Sequence, residues 1–134
     1  MEKTEKKIAE RIAVVRTTLP VSMKQSMSIL KFIRGKNIKE ATKLLEEVVK
    51  MKRAVPMKGE IPHRKGMMSG RYPIKASGMF IKLLSGLAAN ASQKEGSENG
   101  LLSGKANGVS KSMRPGRFRH KFKRVHVELG LDKK

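Results

Sequence analysis

The alternation of hydrophobic and polar positions predicts strands near both ends of the chain. Residues 11–19 are rich in β-branched side chains and are followed by Pro20, a pattern typical of a strand. Residues 124–129 alternate cleanly between apolar and polar side chains, which predicts a second strand with one buried face. The side chains expected on that buried face are Val125, Val127 and Leu129.

Apolar residues recur at helical spacing in a segment from about 23 to 34. Ser22 stands three residues before Gln25, which predicts a capping box at the start of this helix. Gly35 is expected to end it. The apolar face predicted for this first helix comprises Met23, Met27, Leu30 and Ile33.

Two further segments show the same periodicity. Asn37 and Glu40 repeat the capping pattern before a second helix, and Pro73 is well placed to open a third helix that ends near Gln93. Small side chains at 76, 78, 86, 88 and 89 are expected to let another element approach the third helix closely. The predicted apolar faces are Ile38, Ala41, Leu44, Leu45, Val48 and Val49 in the second helix, and Phe80, Ile81, Leu84, Leu87, Ala88 and Ala91 in the third.

A β-hairpin is predicted near the C-terminal end. Residues 101–113 form a poorer strand because Gly104 and Gly108 interrupt it. This segment and the strand at 124–129 flank an Arg-Pro-Gly turn sequence at 114–116. The predicted fold class is therefore α+β, with a small antiparallel sheet packed by about three helices and a projecting β-hairpin arm.

Length and charge narrow the function. The 134 residues allow one domain, 1–134, with a basic loop at 52–72 and a basic hairpin arm at about 105–124. The 31 Lys and Arg residues outnumber the 11 acidic ones and give a formal charge of +20. Such self-repulsion is tolerated most readily when a polyanion lies against the surface, so nucleic acid is the leading partner class.

The composition also excludes several classes. The chain has no cysteine, its histidines are scattered, and no nucleophile and base stand at a catalytic spacing, so we expect no metal, no cofactor and no enzymatic activity. No stretch approaches the roughly eighteen apolar residues of a membrane helix, and the N-terminus is polar. We therefore expect a cytoplasmic protein with no membrane or small-molecule partner.

Two basic segments are candidate RNA contacts. The segment 111–124 interleaves cations for phosphates with phenylalanine rings for unstacked bases, which suits RNA better than a uniform duplex. Its candidates are Lys111, Arg114, Arg117, Phe118, Arg119, Lys121, Phe122, Lys123 and Arg124. The loop combines glycines with Arg53, His63, Arg64, Lys65, Arg71 and Lys75. A disordered tail and a solvated linker, respectively, remain the alternatives.

Several local strings resemble one known family. They are Ile-Arg-Gly-Lys at 33–36, Arg-Ala-Val-Pro at 53–56, His-Arg-Lys-Gly at 63–66, Gly-Arg-Tyr-Pro-Ile-Lys-Ala at 70–76, Ala-Ala-Asn-Ala at 88–91 and His-Val-Glu at 126–128. Together they resemble the large-subunit ribosomal protein family numbered twenty-two in bacteria and seventeen in eukaryotes, and in particular its archaeal and eukaryotic branch. The resemblance covers most of residues 20–130.

This resemblance implies an α+β domain with a long hairpin that binds large-subunit ribosomal RNA and reaches the wall of the peptide exit tunnel. The tunnel-facing tip would lie at about 114–122, and Arg34, Lys36 and Tyr72 would be further RNA contacts. The hairpin has fewer residues between Pro115 and His126 than this branch leads us to expect, which predicts a shorter reach.

The first hypothesis is thus a structural ribosomal protein whose partners are ribosomal RNA, neighbouring ribosomal proteins and nascent peptide. A histone-like DNA-binding protein is the alternative, and it predicts homodimers that do not discriminate DNA from RNA. An RNA-modifying enzyme is a third, and it requires an acid or nucleophile in a pocket that the sequence does not reveal.

Overall fold

The computed structural model describes residues 11–58, 63–95, 100–108, 112–113 and 121–133. In these ranges a strand and two helices are followed by two short strands, a long helix and a C-terminal hairpin. In chain order the elements are β1 (Arg11–Leu19), α1 (Met23–Ile33), α2 (Ile38–Val49), β2 (Val55–Pro56), β3 (Gly70–Arg71), α3 (Ile74–Glu95), β4 (Gly100–Gly108), β5 (Ser112–Met113), β6 (Lys121–Phe122) and β7 (Val125–Lys133).

The central sheet has three antiparallel strands in the order β1-β7-β4. Val127 in the middle strand faces Thr17 on one side and Ala106 on the other. The two strands predicted at 11–19 and 124–129 are therefore confirmed, and they are neighbours. Strand β7 continues beyond the predicted end, because Leu131 repeats the buried alternation after Gly130.

The predicted hairpin is confirmed where the structure describes it. Pairing between β4 and β7 runs from Gly100 opposite Lys133 to Gly108 opposite Val125. Beyond this ladder β5 pairs with β6, which extends the hairpin past the three-stranded sheet. The turn predicted at 114–116 lies outside the described residues.

The helices cover one face of the sheet and form the core with it. Helix α3 packs against β1 and α2, and α1 packs against β4. The predicted faces of α2 and α3 are confirmed at eight buried side chains, while Leu44, Val49, Ile81 and Ala88 are half-buried. The eight are Ile38, Ala41, Leu45, Val48, Phe80, Leu84, Leu87 and Ala91.

Half of the face predicted for α1 is wrong. Met23 and Met27 stay exposed, at 41% and 43% of their accessible area, and the helix instead buries Ser26 and Ile29 beside Leu30 and Ile33. A serine can occupy this face because its hydroxyl donates to the carbonyl of Ser22 at 3.0 Å. An apolar pattern cannot tell a buried methionine from an exposed one, so the helix was predicted with the wrong rotation.

The predicted capping boxes are also wrong, since neither Ser22 nor Asn37 makes a side-chain capping hydrogen bond. Their backbone carbonyls accept the first helical hydrogen bonds instead, from Ser26 N at 3.0 Å and Ala41 N at 2.9 Å. Both residues thus occupy the predicted N-cap position without the predicted side-chain contact.

Close approach occurs at glycines other than those predicted. A Cβ added to Gly104 would lie 2.7 Å from Leu30 Cδ2 and 2.8 Å from the Glu128 carbonyl oxygen, so this glycine lets α1 rest directly on β4. At Gly78 and Gly86 of α3 no described atom outside the helix's own backbone lies within 4 Å of an added Cβ. The close approach expected at the small residues of α3 is therefore seen at Ala76, which is fully buried, and at Ala88, which packs against the core, but not at the two glycines.

Candidate nucleic-acid interface

The basic segment predicted as a loop contains paired strands and an apolar anchor. Strands β2 and β3 form a two-stranded antiparallel sheet, in which Val55 faces Arg71. Ala54, Val55 and Met57 are buried, and β2 packs against α1. The run from 54 to 57 is too short to show a hydrophobic period, which is why the sequence predicted only a loop.

Arg64 holds the far part of this segment together. Its Nε donates to the carbonyl of Gly70 at 3.2 Å, and its Nη1 donates to the hydroxyl of Tyr72 at 3.0 Å. The guanidinium carbon also lies 4.3 Å from the centroid of the Tyr72 ring, a cation–π contact. Arg64 therefore shapes the segment, and its role as an RNA contact stays a prediction.

A basic concavity of about 560 Å³ opens beside Arg64 and Tyr72. We call it the loop concavity, and it is lined by Lys52, Arg53, Ala54, His63, Arg64, Lys65, Met67 and Tyr72. The fold thus brings together five residues predicted from sequence as RNA contacts: Arg53, His63, Arg64, Lys65 and Tyr72. No acidic side chain is among the lining residues, so the surface is suited to phosphate groups.

The other described candidates lie elsewhere. Arg71 and Lys75 are exposed and do not line the concavity. Arg34 is exposed at the end of α1, and Lys36 follows it with its Nζ 3.6 Å from a carboxylate oxygen of Glu40. The structure therefore separates the candidates into the concavity, β3 and the start of α3, the turn between α1 and α2, and the hairpin.

The candidates of the hairpin arm that the structure describes lie at residues 121–124. Lys123 is exposed and Arg124 half-buried at the base of the arm. For Lys121 and Phe122 the structure describes only the backbone of β6. The remaining candidates, Lys111, Arg114, Arg117, Phe118 and Arg119, lie outside the described residues.

Sequence reasoning missed a second basic surface, a concavity of about 820 Å³ between α1, α2 and β2. We call it the α1 groove. It is lined by Lys24, Met27, Ser28, Lys31, Phe32, Lys36, Glu40, Leu44, Arg53, Pro56, Met57 and Lys58. The signal available in the sequence was that α1 contains no acidic residue, but the assignment of Met27 to the core hid it.

The outer face of the sheet, opposite the helices, carries basic residues that are already paired. Glu128, in the middle strand, accepts from Arg11 Nη1 at 2.7 Å and from Arg16 Nε at 2.9 Å, and Lys105 Nζ lies 3.9 Å away. The hydrogen bond from Arg11, followed by the effects of Arg16 and Lys105, outweighs partial desolvation and lowers the pKa of the Glu128 carboxyl. Each of these three cations on the outer face therefore lies within 4 Å of a carboxylate oxygen of Glu128.

Comparison with known proteins adds independent information. A sequence profile described as ribosomal protein L22p/L17e matches residues 14–125. The chain is similar to the large ribosomal subunit protein uL22 of Archaeoglobus fulgidus, with 48% identity over 82 residues, or 57% of this chain and 53% of that protein. It is also similar to the uL22 of Staphylothermus marinus, with 38% identity over 94 residues, or 63% of this chain and 60% of that protein.

The uL22 of Picrophilus torridus gives a third match, with 36% identity over 93 residues, or 66% of this chain and 62% of that protein. All three relatives are archaeal, in agreement with the branch that the local strings predicted. The matched part of the chain spans between about half and three-fifths of the length of these relatives.

Among the helices that the structure describes, none combines the length and the hydrophobicity that a membrane-spanning helix needs.

Proposed function

Because the chain belongs to the ribosomal protein L22p/L17e family, we propose that it is a structural protein of the large ribosomal subunit that binds ribosomal RNA and stabilises its fold. The observation that carries this proposal is the loop concavity, where basic residues from both ends of a folded segment converge without an acidic neighbour in the lining. Folded RNA supplies the phosphates that such a surface neutralises.

The distribution of acidic residues supports the same function. Glu128 is shared by Arg11, Arg16 and Lys105, and Glu47 accepts from Arg53 Nε at 2.8 Å. Glu128 balances part of the charge on the sheet and Glu47 balances Arg53 within the concavity, so the excess charge of the chain rests on the remaining cations. A polyanionic partner relieves the self-repulsion that this excess causes.

The finer parts of the proposal concern the arm and the surroundings. The hairpin extends past the sheet through β5 and β6, and we propose that its tip lies near the peptide exit tunnel and contacts nascent peptide. Neighbouring ribosomal proteins are further proposed partners, and the proposed location is the ribosome in the cytoplasm. The names of the relatives, large ribosomal subunit proteins, support a structural role rather than an enzymatic one.

Co-sedimentation with large ribosomal subunits at increasing salt tests the proposal. We expect the protein to travel with the subunits at low salt and to be released as salt rises. If about six to ten cations meet phosphates, the affinity for a ribosomal RNA fragment falls by orders of magnitude between roughly 50 and 200 mM salt. Recovery in the free fraction even at low salt would contradict the proposal.

A competition experiment separates this function from the histone-like alternative. Duplex DNA and folded ribosomal RNA of equal length are offered together at one salt concentration, and the bound fraction of each is measured. We expect RNA to be retained, because an irregular RNA surface presents unpaired bases and bent backbone that a uniform duplex lacks. Equal retention of both nucleic acids would favour the histone-like protein.

The arm is tested by deletion of residues 115–121 with a two-residue turn in their place. This change removes Arg117, Arg119 and Lys121, while the buried base of the hairpin at Val125 and Leu102 is kept. We expect weaker RNA binding with a nearly unchanged thermal unfolding temperature. A collapse of the fold would show that the arm is needed for stability rather than for binding.

A further inference from the structure

The α1 groove has an apolar floor that phosphate binding alone does not require. We propose that it receives an unpaired nucleotide of the bound RNA, with the base on the floor and the neighbouring phosphates at the rim. This inference rests on the proposed function and adds to it that the α1 groove selects one kind of RNA feature, an unpaired nucleotide.

The floor is built from side chains that suit a planar apolar ligand. Met27 is 43% exposed, and Phe32 is half-buried with part of its ring packed against the core. Leu44 and Pro56 line the groove beside the buried Met57. Thioether side chains adapt to the shape of a ligand, and an aromatic ring offers the stacking face that an unstacked base needs.

The rim supplies charge on several sides of this floor. Its five basic residues come from α1, from the turn after it and from the segment around β2: Lys24, Lys31, Lys36, Arg53 and Lys58. Glu40 is the one acidic residue in the lining, and Lys36 lies 3.6 Å from it. The strongly positive balance favours a ligand that carries negative charge around an apolar centre, which is the chemistry of a nucleotide within a strand.

An RNA stem alone does not match this surface. A stem presents phosphates and sugar edges on its outside, while its base faces are stacked inside. Such a ligand could satisfy the rim but would leave Met27 and Phe32 without a partner. A nucleotide that leaves the stack, in a bulge or a loop, can place its base on the floor and keep its phosphates at the rim.

The position of the groove favours RNA over an acidic peptide. Arg53 lines both the α1 groove and the loop concavity, so the two surfaces are adjacent at this residue. On the other side, Lys24 and Met27 also line a smaller concavity that reaches Lys123 and Arg124 at the base of the arm. The groove thus lies between two sets of residues already proposed to bind RNA.

The experiment compares two RNA hairpins that differ only by one bulged adenine. Binding of the full chain to each is measured by fluorescence anisotropy. We expect the bulged hairpin to bind more tightly by about fivefold or more, which corresponds to stacking of a single base. Met27→Ala should remove most of this preference while leaving the affinity for the unbulged hairpin unchanged.

Matched variants control for folding and for general surface effects. Met68→Ala removes a methionine that is 88% exposed and outside the groove, so it should retain the preference for the bulge. Lys31→Gln should weaken binding to both hairpins and reduce the salt dependence by about one counterion, as expected for a phosphate contact. Thermal unfolding of each variant verifies that it is folded, which is expected because Met27 and Lys31 are exposed.

The outcomes distinguish the two proposals. Equal affinity of the unaltered protein for both hairpins, or equal behaviour of Met27→Ala and Met68→Ala, would overturn the groove inference while RNA binding itself stands. If the unaltered protein binds neither of the two hairpins nor the large subunit, the proposed function is overturned and the inference with it. Displacement of the bulged RNA by a Glu- and Leu-containing peptide, with Met27→Ala affecting only the peptide, would assign the groove to a protein partner.

Discussion

The outer face of the sheet and the α1 groove are both rich in cations, yet their charges are arranged differently. On the sheet, Arg11, Arg16 and Lys105 surround Glu128 in the middle strand. In the groove, five cations share a lining with Glu40 alone. On the sheet one carboxylate therefore lies among three cations, whereas in the lining of the groove the cations outnumber the carboxylates five to one.

This difference follows from local sequence as well as topology. Strand β7 lies between β1 and β4, so one acidic residue on its outer face reaches cations of both neighbours. Helix α1 has no acidic residue, and its Lys24 and Lys31 line the groove beside the apolar floor. Substitutions on the sheet should therefore change stability, whereas substitutions in the groove or the loop concavity should change binding.

The largest expected effect comes from Val127→Asp in the middle strand. Val127 is 2% exposed and packs in the core, so the variant buries an unpaired carboxylate and loses several kcal/mol of stability, roughly enough to unfold the protein. Circular dichroism during thermal unfolding measures the change. His126→Asn, on the exposed face of the same strand, is the control and should stay folded. A folded Val127→Asp would show that the sheet is not the scaffold described above.

Gly104→Val tests whether α1, and with it the groove, is held against β4. The added Cβ would approach Leu30 Cδ2 and the Glu128 carbonyl oxygen, so we expect a loss of about 1–3 kcal/mol in the free energy of unfolding. Gly86→Ala, in the open middle of α3, should instead stabilise the protein by about 0.5–1 kcal/mol. Urea denaturation measures both, and equal effects would contradict the close contact at Gly104.

The sharpest test of the comparison pairs two double variants of equal charge. Lys52→Gln with Lys65→Gln removes two cations from the loop concavity and should lower the dependence of RNA affinity on salt by about two counterions. Arg16→Gln with Lys105→Gln removes two cations that face Glu128 and should leave that dependence nearly unchanged. Filter binding over a salt series gives both slopes. Equal slopes would mean that net charge, and not its placement, governs binding.

The smallest expected effect is a change in stability with pH at Glu128. Its pKa in the folded protein lies below the ordinary 4.5, so the charged carboxylate stabilises the fold at neutral pH, and this contribution is lost as the pH falls through the lowered pKa. Glu128→Gln should therefore be less stable than the unaltered protein at neutral pH and equally stable well below 4.5. Urea midpoints at both pH values measure this, with the exposed Glu46→Gln as control. A pH-independent difference would point to packing as the cause.

Local sequence determined much of the fold because its signals act over short distances. The β-branched run before Pro20 correctly predicted β1, and the apolar period correctly predicted α2 and α3. The alternation around Val127 predicted the last strand. Gly35, with a φ of +75°, ended α1 as predicted, since glycine adopts this conformation without strain. The excess of cations likewise followed from composition alone, and it indicated nucleic acid as the partner.

Only the tertiary structure decided which cations are paired and which apolar side chains are buried. Arg11 and Glu128 are 117 positions apart in the chain, and no periodicity links them. Leu30 of α1 packs directly on Gly104, which comes much later in the chain, so the exposure of Met27 could not be read from the helix itself. The contact of the Arg64 guanidinium with the Tyr72 ring likewise appears only in the fold. In each case the deciding contact joins residues that sequence patterns treat independently, because burial and ion pairing depend on distances that exist only in the folded chain.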